Sequence, residues 1–345
     1  AWLKIYDVPV IYFPKFYHPD PTVKRQSGFL FPTFKSSSLN GQSLQIPYFK
    51  VLDSNKDLTL SPRLYFDDNI LIQTEYRQVN KNSKFISDFS FNKNNNTKSH
   101  FFSNFISNFQ DQAKFELNIE KVSNDKYLKI NEIESPIIDN KSKLFSYLNF
   151  QNSDDSYFLS TSIGAYEDLN KSKSNRYEFI YPEFSFYKEL GQKNNNSKGN
   201  FIFTSDGYNK NYNTNVSENV LINDLLYGSN LDYFGNGFAK NYKILLRNVN
   251  TDAKNSVNYK NSSNFNLLST FIFETKYPLY KKTEKSENTF VPKLSFRFSP
   301  NKTKSSTKKN ARLSTNNIFD IDRSGQNDLV ESDQSITLGF DFEKI

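Results

Sequence analysis

Few side chains in this 345-residue sequence are of types that could perform chemistry together. The sequence contains no cysteine and only two histidines, His18 and His100. Thiolate metal sites, cysteine nucleophiles and polyhistidine metal centres are therefore excluded within this chain. Neither histidine has a serine or aspartate partner at a recognisable spacing, so we predict a structural or surface role for both.

The other candidates for chemistry are one group of carboxylates and one pair of glycines. Asp320, Asp322 and Asp328 lie close together, but their spacing differs from that of a calcium-binding loop. Gly235-Asn236-Gly237 is typical of a turn. We predict no catalytic residue, no metal site, no cofactor and no enzymatic activity.

The elements that carry these residues have an unusual composition. Hydrophobic residues make up 36% of the chain, yet 16% of all residues are aromatic, with 34 Phe and 21 Tyr. A disordered polar chain is poor in aromatic residues. No run of about 18 apolar residues is present, so no transmembrane helix is predicted. Many strands with one apolar and one polar face would account for this composition.

Alternation with a period of two recurs along the sequence. Apolar and polar residues alternate over 58–66 and again over 70–77, and Asp67-Asp68-Asn69 between them is typical of a turn, which predicts a hairpin. Roughly 14 strand candidates of this kind follow residue 24, without a convincing helical period. The predicted fold class is therefore all-β.

Alternation alone fits either a soluble β-sandwich or a membrane barrel. Charged residues recur on the polar faces of long strands, as with Arg63, Glu75 and Arg77, and Phe and Tyr supply much of the apolar faces. We therefore predict an antiparallel transmembrane β-barrel, present in part, with Arg63, Glu75 and Arg77 facing its lumen. A soluble β-rich surface-binding protein is the alternative.

The sequence divides into two regions. Residues 1–22 contain four prolines in an apolar, β-rich stretch, which predicts the end of a preceding β domain and a linker. Residues 23–345 carry the alternating segments. The chain begins with Ala1 and has no Met, so we expect a fragment of a longer protein. Its net charge of +7 is spread over polar loops, and no nucleic-acid surface is predicted.

Two prolines stand in strand-like sequence 15 positions apart. Pro32 ends the run Gly28–Pro32, and Pro47 lies within Ser43–Phe49, with a turn-like stretch from Ser36 to Gly41 between them. If the two strands pair, each proline removes a potential ladder hydrogen bond. On local sequence alone, two ordinary edge-strand prolines are the favoured explanation.

Several segments in a fixed order resemble the LptD family of lipopolysaccharide (LPS)-assembly proteins. The resembling segments are Val8–Pro14, Arg25–Pro32, Ile46–Phe49, Asp57–Arg63, Glu75–Arg77, Asn317–Arg323 and Leu338–Phe340. The resemblance implies that residues 1–22 end a periplasmic β-jellyroll and that residues 23–345 form roughly the first half of an outer-membrane barrel.

The resemblance also implies a function and partners. The protein would be located in the cell outer membrane and would insert LPS into the outer leaflet through a laterally opening seam. In the family this seam lies between the first and last strands, and Pro32 and Pro47 match two prolines of the first two strands that keep it weak. Its partners would be LPS, outer-membrane lipid, the plug lipoprotein LptE and the periplasmic bridge protein LptA. A passive outer-membrane channel or porin is the alternative function, and an outer-membrane lipase that uses His18 or His100 is the enzymatic one.

Overall fold

A computed structural model describes most of the chain. The described residues are 2–5, 8–12, 25–37, 40–66, 69–93, 98–109, 112–172, 175–191, 198–212, 215–283, 286–301, 313–326 and 328–344. His18 and the predicted domain boundary at residue 22 lie outside them.

The described residues form β-strands almost throughout, with one short helix. The first two strands, β1 and β2, pair only with each other, and β3–β22 belong to a second sheet. The strands are β1 Trp2–Ile5, β2 Val8–Tyr12, β3 Gly28–Phe29, β4 Thr33–Ser37, β5 Gly41–Gln45, β6 Tyr48–Asp53, β7 Lys56–Tyr65, β8 Ile70–Val79, β9 Ser83–Lys93, β10 Lys98–Phe109, β11 Ala113–Val122, β12 Lys143–Asp154, β13 Tyr157–Asp168, β14 Tyr177–Glu189, β15 Gly199–Tyr212, β16 Val216–Ser229, β17 Asp232–Tyr233, β18 Ala239–Lys254, β19 Asn264–Lys276, β20 Leu279–Thr283, β21 Ser286–Ser299 and β22 Asp333–Lys344, and helix α1 spans Tyr127–Ile130.

The large sheet is a long antiparallel sheet of about 16 strands. This number is smaller than the number of labelled segments, because several short segments together form one strand. The prediction of an all-β, antiparallel fold is thus confirmed. The strand order places β22 next to β3, but no ladder register joins those two strands among the described residues. What the ladders establish is one continuous sheet whose first and last strands share no register.

The two faces of the sheet have opposite character, as the alternation predicts. In β7, Arg63 and Tyr65 are buried, whereas Leu60 and Leu64 on the opposite face are exposed. The same holds in the last strand, where Leu338 is 77% exposed and Thr337 is buried. We call the face that carries Arg63 the inner face and the face that carries Leu60 the outer face.

The inner face is covered by two connecting segments that fold back over it. The first inner segment, residues 123–142, joins β11 to β12 and contains α1. The second, of which residues 313–326 and 328–332 are described, joins β21 to β22. The main apolar cluster lies between the first inner segment and the sheet and contains Tyr65, Leu71, Phe102, Val122, Tyr127, Leu128, Ile133, Leu144 and Leu169.

The connections differ between the two rims of the sheet. Four of them on one rim join β6–β7, β8–β9, β10–β11 and β12–β13 by two or three residues each. Both inner segments leave the opposite rim, as do the connections between β13 and β14 and between β18 and β19. We call these the short-turn rim and the long-loop rim.

No described helix is long and apolar enough to cross a membrane.

Candidate functional site

The two prolines singled out in the sequence interrupt the first hairpin of the large sheet. Gly28 pairs with Phe49, whereas Thr33 pairs with Gln45, so the register changes by one residue between these points. Leu30 N donates to Pro47 O at 2.9 Å, but residues 30–32 and 46–47 belong to no strand. Pro32 is exposed and Pro47 half-buried. The interruption thus contains both prolines.

Exposed aromatic side chains surround this interruption. Phe31, beside Pro32, is 91% exposed, and Phe29 and Phe34 are exposed on either side of it. The ring of Phe34 lies 6.0 Å from that of Phe66, the residue that follows β7. A weakly paired hairpin therefore stands in a strongly apolar surface.

The three residues predicted to face a lumen all lie on the inner face, in different surroundings. Arg63 is only 4% exposed, because the first inner segment covers it. Its guanidinium donates to Gln45 Oε1 and to the backbone carbonyl of Asn131. Arg77 Nε lies 2.8 Å from Asp57 Oδ1 and 3.3 Å from Glu75 Oε1. Arg63 therefore anchors the first inner segment, while Glu75 and Arg77 remain partly open to solvent.

A buried polar network holds the same inner segment beside His100. The β9–β10 register places Ser90 opposite His100, with Ser90 Oγ 2.6 Å from His100 Nδ1 and 2.7 Å from the hydroxyl of Tyr127. His100 Nε2 lies 3.4 Å from Asp88 Oδ1. The spacing in the sequence did not reveal Ser90 and Asp88 as neighbours of His100, because hairpin pairing places residues ten and twelve positions apart side by side.

The Ser90–His100–Asp88 network does not have the features of a hydrolase site. His100 is 1% exposed, and Ser90 and Asp88 are completely buried. A nucleophilic serine must reach its substrate, but the Ser90 hydroxyl is covered by Tyr127. Burial raises the pKa of Tyr127 to about 12, so its hydroxyl stays protonated and can bond to Ser90. The arrangement fixes α1 to the sheet.

The second inner segment is held by arginines. Arg247 in β18 bonds to Asp224 in β16 at 2.7 Å and to Asp322 of the segment at 2.8 Å, and it also donates to the carbonyl of Leu329 at 2.7 Å. Arg323 of the segment forms two 2.8 Å hydrogen bonds with the Glu331 carboxylate. Because Asp322 is paired with Arg247, it is not part of a cation site, and the described residues include no cluster that could hold a metal ion.

The sequence reasoning missed the residues that hold the inner segments. Leu71 and Phe102 are apolar residues at inner-face positions, where the alternation otherwise places polar ones, and both are buried under the first inner segment. Such exceptions to the alternation are the signal that could have identified the covered part of the inner face. No comparable signal distinguishes Arg247 from the other charged residues of the strands.

Comparison with known proteins points to one family for the N-terminal part of the chain. Residues 1–127 match the family model described as LptD protein. The chain is 42% identical over 82 residues to the LPS-assembly protein LptD of Pseudomonas savastanoi pv. phaseolicola, which is 24% of this chain and 9% of that protein. It is 40% identical over 79 residues to that of Psychrobacter cryohalolentis, 23% of this chain and 8% of that protein.

A solved structure, a bacterial polysaccharide outer membrane secretin, aligns over 88% of this chain and 90% of its own, with a TM-score of 0.29 and 8% identity. A likeness this low decides nothing about fold or function. The family-model match, by contrast, covers the N-terminal region that contains most of the resembling segments, and it confirms the resemblance. The N-terminal part of this chain, residues 1–127, is thus similar to the LptD family.

Proposed function

We propose that this chain forms part of an outer-membrane β-barrel that assembles LPS at the cell surface, with the hairpin β3–β6 as its lateral gate. The observation that carries the proposal is the ladder interruption at Pro32 and Pro47. An amphiphile cannot pass sideways through a barrel wall whose strands are fully hydrogen-bonded, because each backbone group that loses its partner in lipid costs several kcal/mol. A strand pair that already lacks ladder bonds opens at lower cost.

The two faces of the sheet support a location in a membrane. The outer face exposes a continuous series of apolar side chains, and the inner face is polar, which is the arrangement of an outer-membrane barrel and the reverse of a soluble sandwich. The acyl chains of LPS would pass the gate into lipid, and its sugars would contact the inner face. The matched segment covers about 9% of the length of the curated relatives, so substrate and partners are inferred from the similarity to the LptD family.

The rims give the barrel an orientation. Outer-membrane barrels have short periplasmic turns and longer extracellular loops, so the short-turn rim would face the periplasm. Residues 1–22, which precede β3, would then lie on the periplasmic side as the end of a jellyroll that receives LPS from LptA. LptE would contact the inner face as a plug. No step in this process is enzymatic.

The inner segments favour this function over that of a passive channel. A porin-type barrel needs a water-filled path along its polar interior. Here residues 123–142 lie over the inner face of β7–β12, and residues 313–326 and 328–332 lie over that of β16–β21. Both would obstruct such a path, whereas a sideways gate at β3–β6 does not require it.

The gate is tested by substituting Pro32→Ala and Pro47→Ala, singly and together, in the whole protein. Each substitution restores a backbone N–H, and one added ladder bond is worth about 0.5–1.5 kcal/mol, or roughly a 2- to 12-fold smaller open population. We expect LPS at the cell surface to fall by a comparable factor, with the double variant lowest. Surface LPS is measured by labelling of intact cells.

Pro182→Ala is the matched control. Pro182 lies inside β14, where the registers of the β13–β14 and β14–β15 ladders also shift, in a part of the sheet remote from β3. Its substitution should leave surface LPS unchanged. Normal LPS delivery by the double variant, with hydrogen exchange showing that residues 30–32 and 46–47 have become protected, would rule out the gate.

A further inference from the structure

A cavity of about 620 Å³ lies on the inner face of β12–β16, beneath the tip of the second inner segment. Two cross-strand rows of side chains line it. Ser160, Ser185 and Asp206 form one row, and Ser162, Glu183 and Tyr208 form the other. Neighbouring strands lie about 4.8 Å apart, so the hydroxyl and carboxylate groups converge on a space of small-molecule size.

The polar groups of this cavity are acidic or uncharged. Among the described residues, Glu183, Asp206 and Asp328 line it, and no lysine or arginine does. Within the described residues, the carboxylates of Glu183 and Asp206 form no ion pair and no side-chain hydrogen bond. They are therefore open to accept hydrogen bonds from a ligand, and their charge repels phosphate and other anions.

Two tyrosine rings form an apolar wall beside these acceptors. Tyr208 and Tyr259 both line the cavity and pack against the buried cluster of Val220, Ile222 and Val249. Because this packing already fixes the rings, a ligand that binds against them orders them at little further entropic cost. A flat aromatic surface next to carboxylates and hydroxyls suits a ligand that has a C–H face and many hydroxyl groups.

We propose that this cavity binds an uncharged saccharide unit and excludes phosphorylated ones. Sugar hydroxyls donate to Asp206 and Glu183, while the serine hydroxyls both donate and accept. The proposal rests on the proposed function, because an LPS-assembly barrel brings sugars to its inner face. It adds the place where they bind and the kind of sugar unit that is accepted there.

The test uses the purified whole protein in detergent, with maltotriose as the uncharged probe and glucose 6-phosphate as the phosphorylated one. Binding is measured by saturation-transfer NMR titration. We expect maltotriose to bind and glucose 6-phosphate to bind at least about tenfold more weakly. Asp206→Ala should lower the affinity for maltotriose about tenfold, since a hydrogen bond to a charged group is worth about 1.5–3 kcal/mol. Asp206→Lys should reduce the discrimination against glucose 6-phosphate.

Two further variants make the result decisive. Ser162→Ala, in the neighbouring row, should also weaken maltotriose binding, and this variant provides the test if the Asp206 variants do not fold. Asp154→Ala, at an exposed short turn, should have no effect. Equal binding of the two probes, or maltotriose binding that neither Asp206→Ala nor Ser162→Ala changes, overturns the proposal. Normal LPS delivery by a protein that binds no maltotriose overturns the saccharide site alone and leaves the gate standing.

Discussion

At the scale of single residues, charge on the inner face does not imply contact with water. Arg63, Glu75 and Arg77 occupy equivalent inner-face positions in β7 and β8, yet Arg63 is covered and the other two are not. The difference comes from neighbours. Tyr65 and Leu71 beside Arg63 give the first inner segment an apolar surface to pack on, and the arginine then satisfies the carbonyl of Asn131 at the end of α1.

The bond between Ser90 and Tyr127 allows a direct measure of how firmly α1 is held. Tyr127→Phe removes the hydroxyl that lies 2.7 Å from Ser90 Oγ, and a buried hydrogen bond contributes about 1 kcal/mol. We expect Tyr127→Phe to lower the free energy of unfolding by about that amount. In a Ser90→Ala background the same substitution should cost much less, because the bond is already lost. Urea unfolding of the four proteins in lipid vesicles gives the coupling.

Tyr157→Phe is the matched control for this cycle. Its hydroxyl bonds to Asn152 across an exposed short turn, where water replaces the lost partner. The substitution should therefore change the free energy of unfolding by only a few tenths of a kcal/mol. Additive effects of Tyr127→Phe and Ser90→Ala would show that the two hydroxyls do not stabilise each other.

At the scale of elements, the strands were predictable and the inner segments were not. A strand with one apolar and one polar face shows its period in the sequence, so the hairpin β7–β8 follows from residues 58–77 alone. The inner segments have no such period. Helix α1 has only four residues, too few for a helical pattern, and its position depends on Phe102 and Leu71 from distant strands.

The second inner segment should be released by Arg247→Met. The substitution keeps much of the side-chain length but leaves Asp224 and Asp322 without their partner, and breaking a buried ion pair costs about 3–5 kcal/mol. We expect faster hydrogen exchange over residues 313–332 and a larger single-channel conductance in planar bilayers, because the segment no longer covers the inner face.

The comparison is Lys282→Met, which removes an exposed ion pair with Glu287 in the β20–β21 hairpin. Exposed pairs contribute about 0–1 kcal/mol, so hydrogen exchange and conductance should remain those of the native protein. If Arg247→Met leaves the exchange of residues 313–332 unchanged, the segment is held by other contacts, of which those of Arg297 and Arg323 would be tested next.

At the scale of the whole molecule, the sequence defines two faces without stating which one meets water. That choice follows from where the connections fold. Residues 123–142, 313–326 and 328–332 return to the polar face, and within the part of the chain that the structure describes the apolar face stays uncovered. An isolated alternation pattern cannot reveal this. Likewise, the sequence located Pro32 and Pro47, but only the ladder shows that both fall in one interruption. The division between residues 1–22 and 23–345 stays a prediction.

If the outer face meets lipid, a charge placed on it should prevent stable insertion. Leu246 lies mid-strand in β18 and is exposed on the outer face, and an arginine at the membrane midplane costs about 2–4 kcal/mol. We expect Leu246→Arg to lower the free energy of unfolding in vesicles by that amount, and Leu246→Phe to have little effect. Gln151→Arg, which places the same charge on the inner face of β12, should be tolerated. Equal losses for Leu246→Arg and Gln151→Arg would contradict a lipid-facing outer surface, because an added charge would then cost the same on both faces.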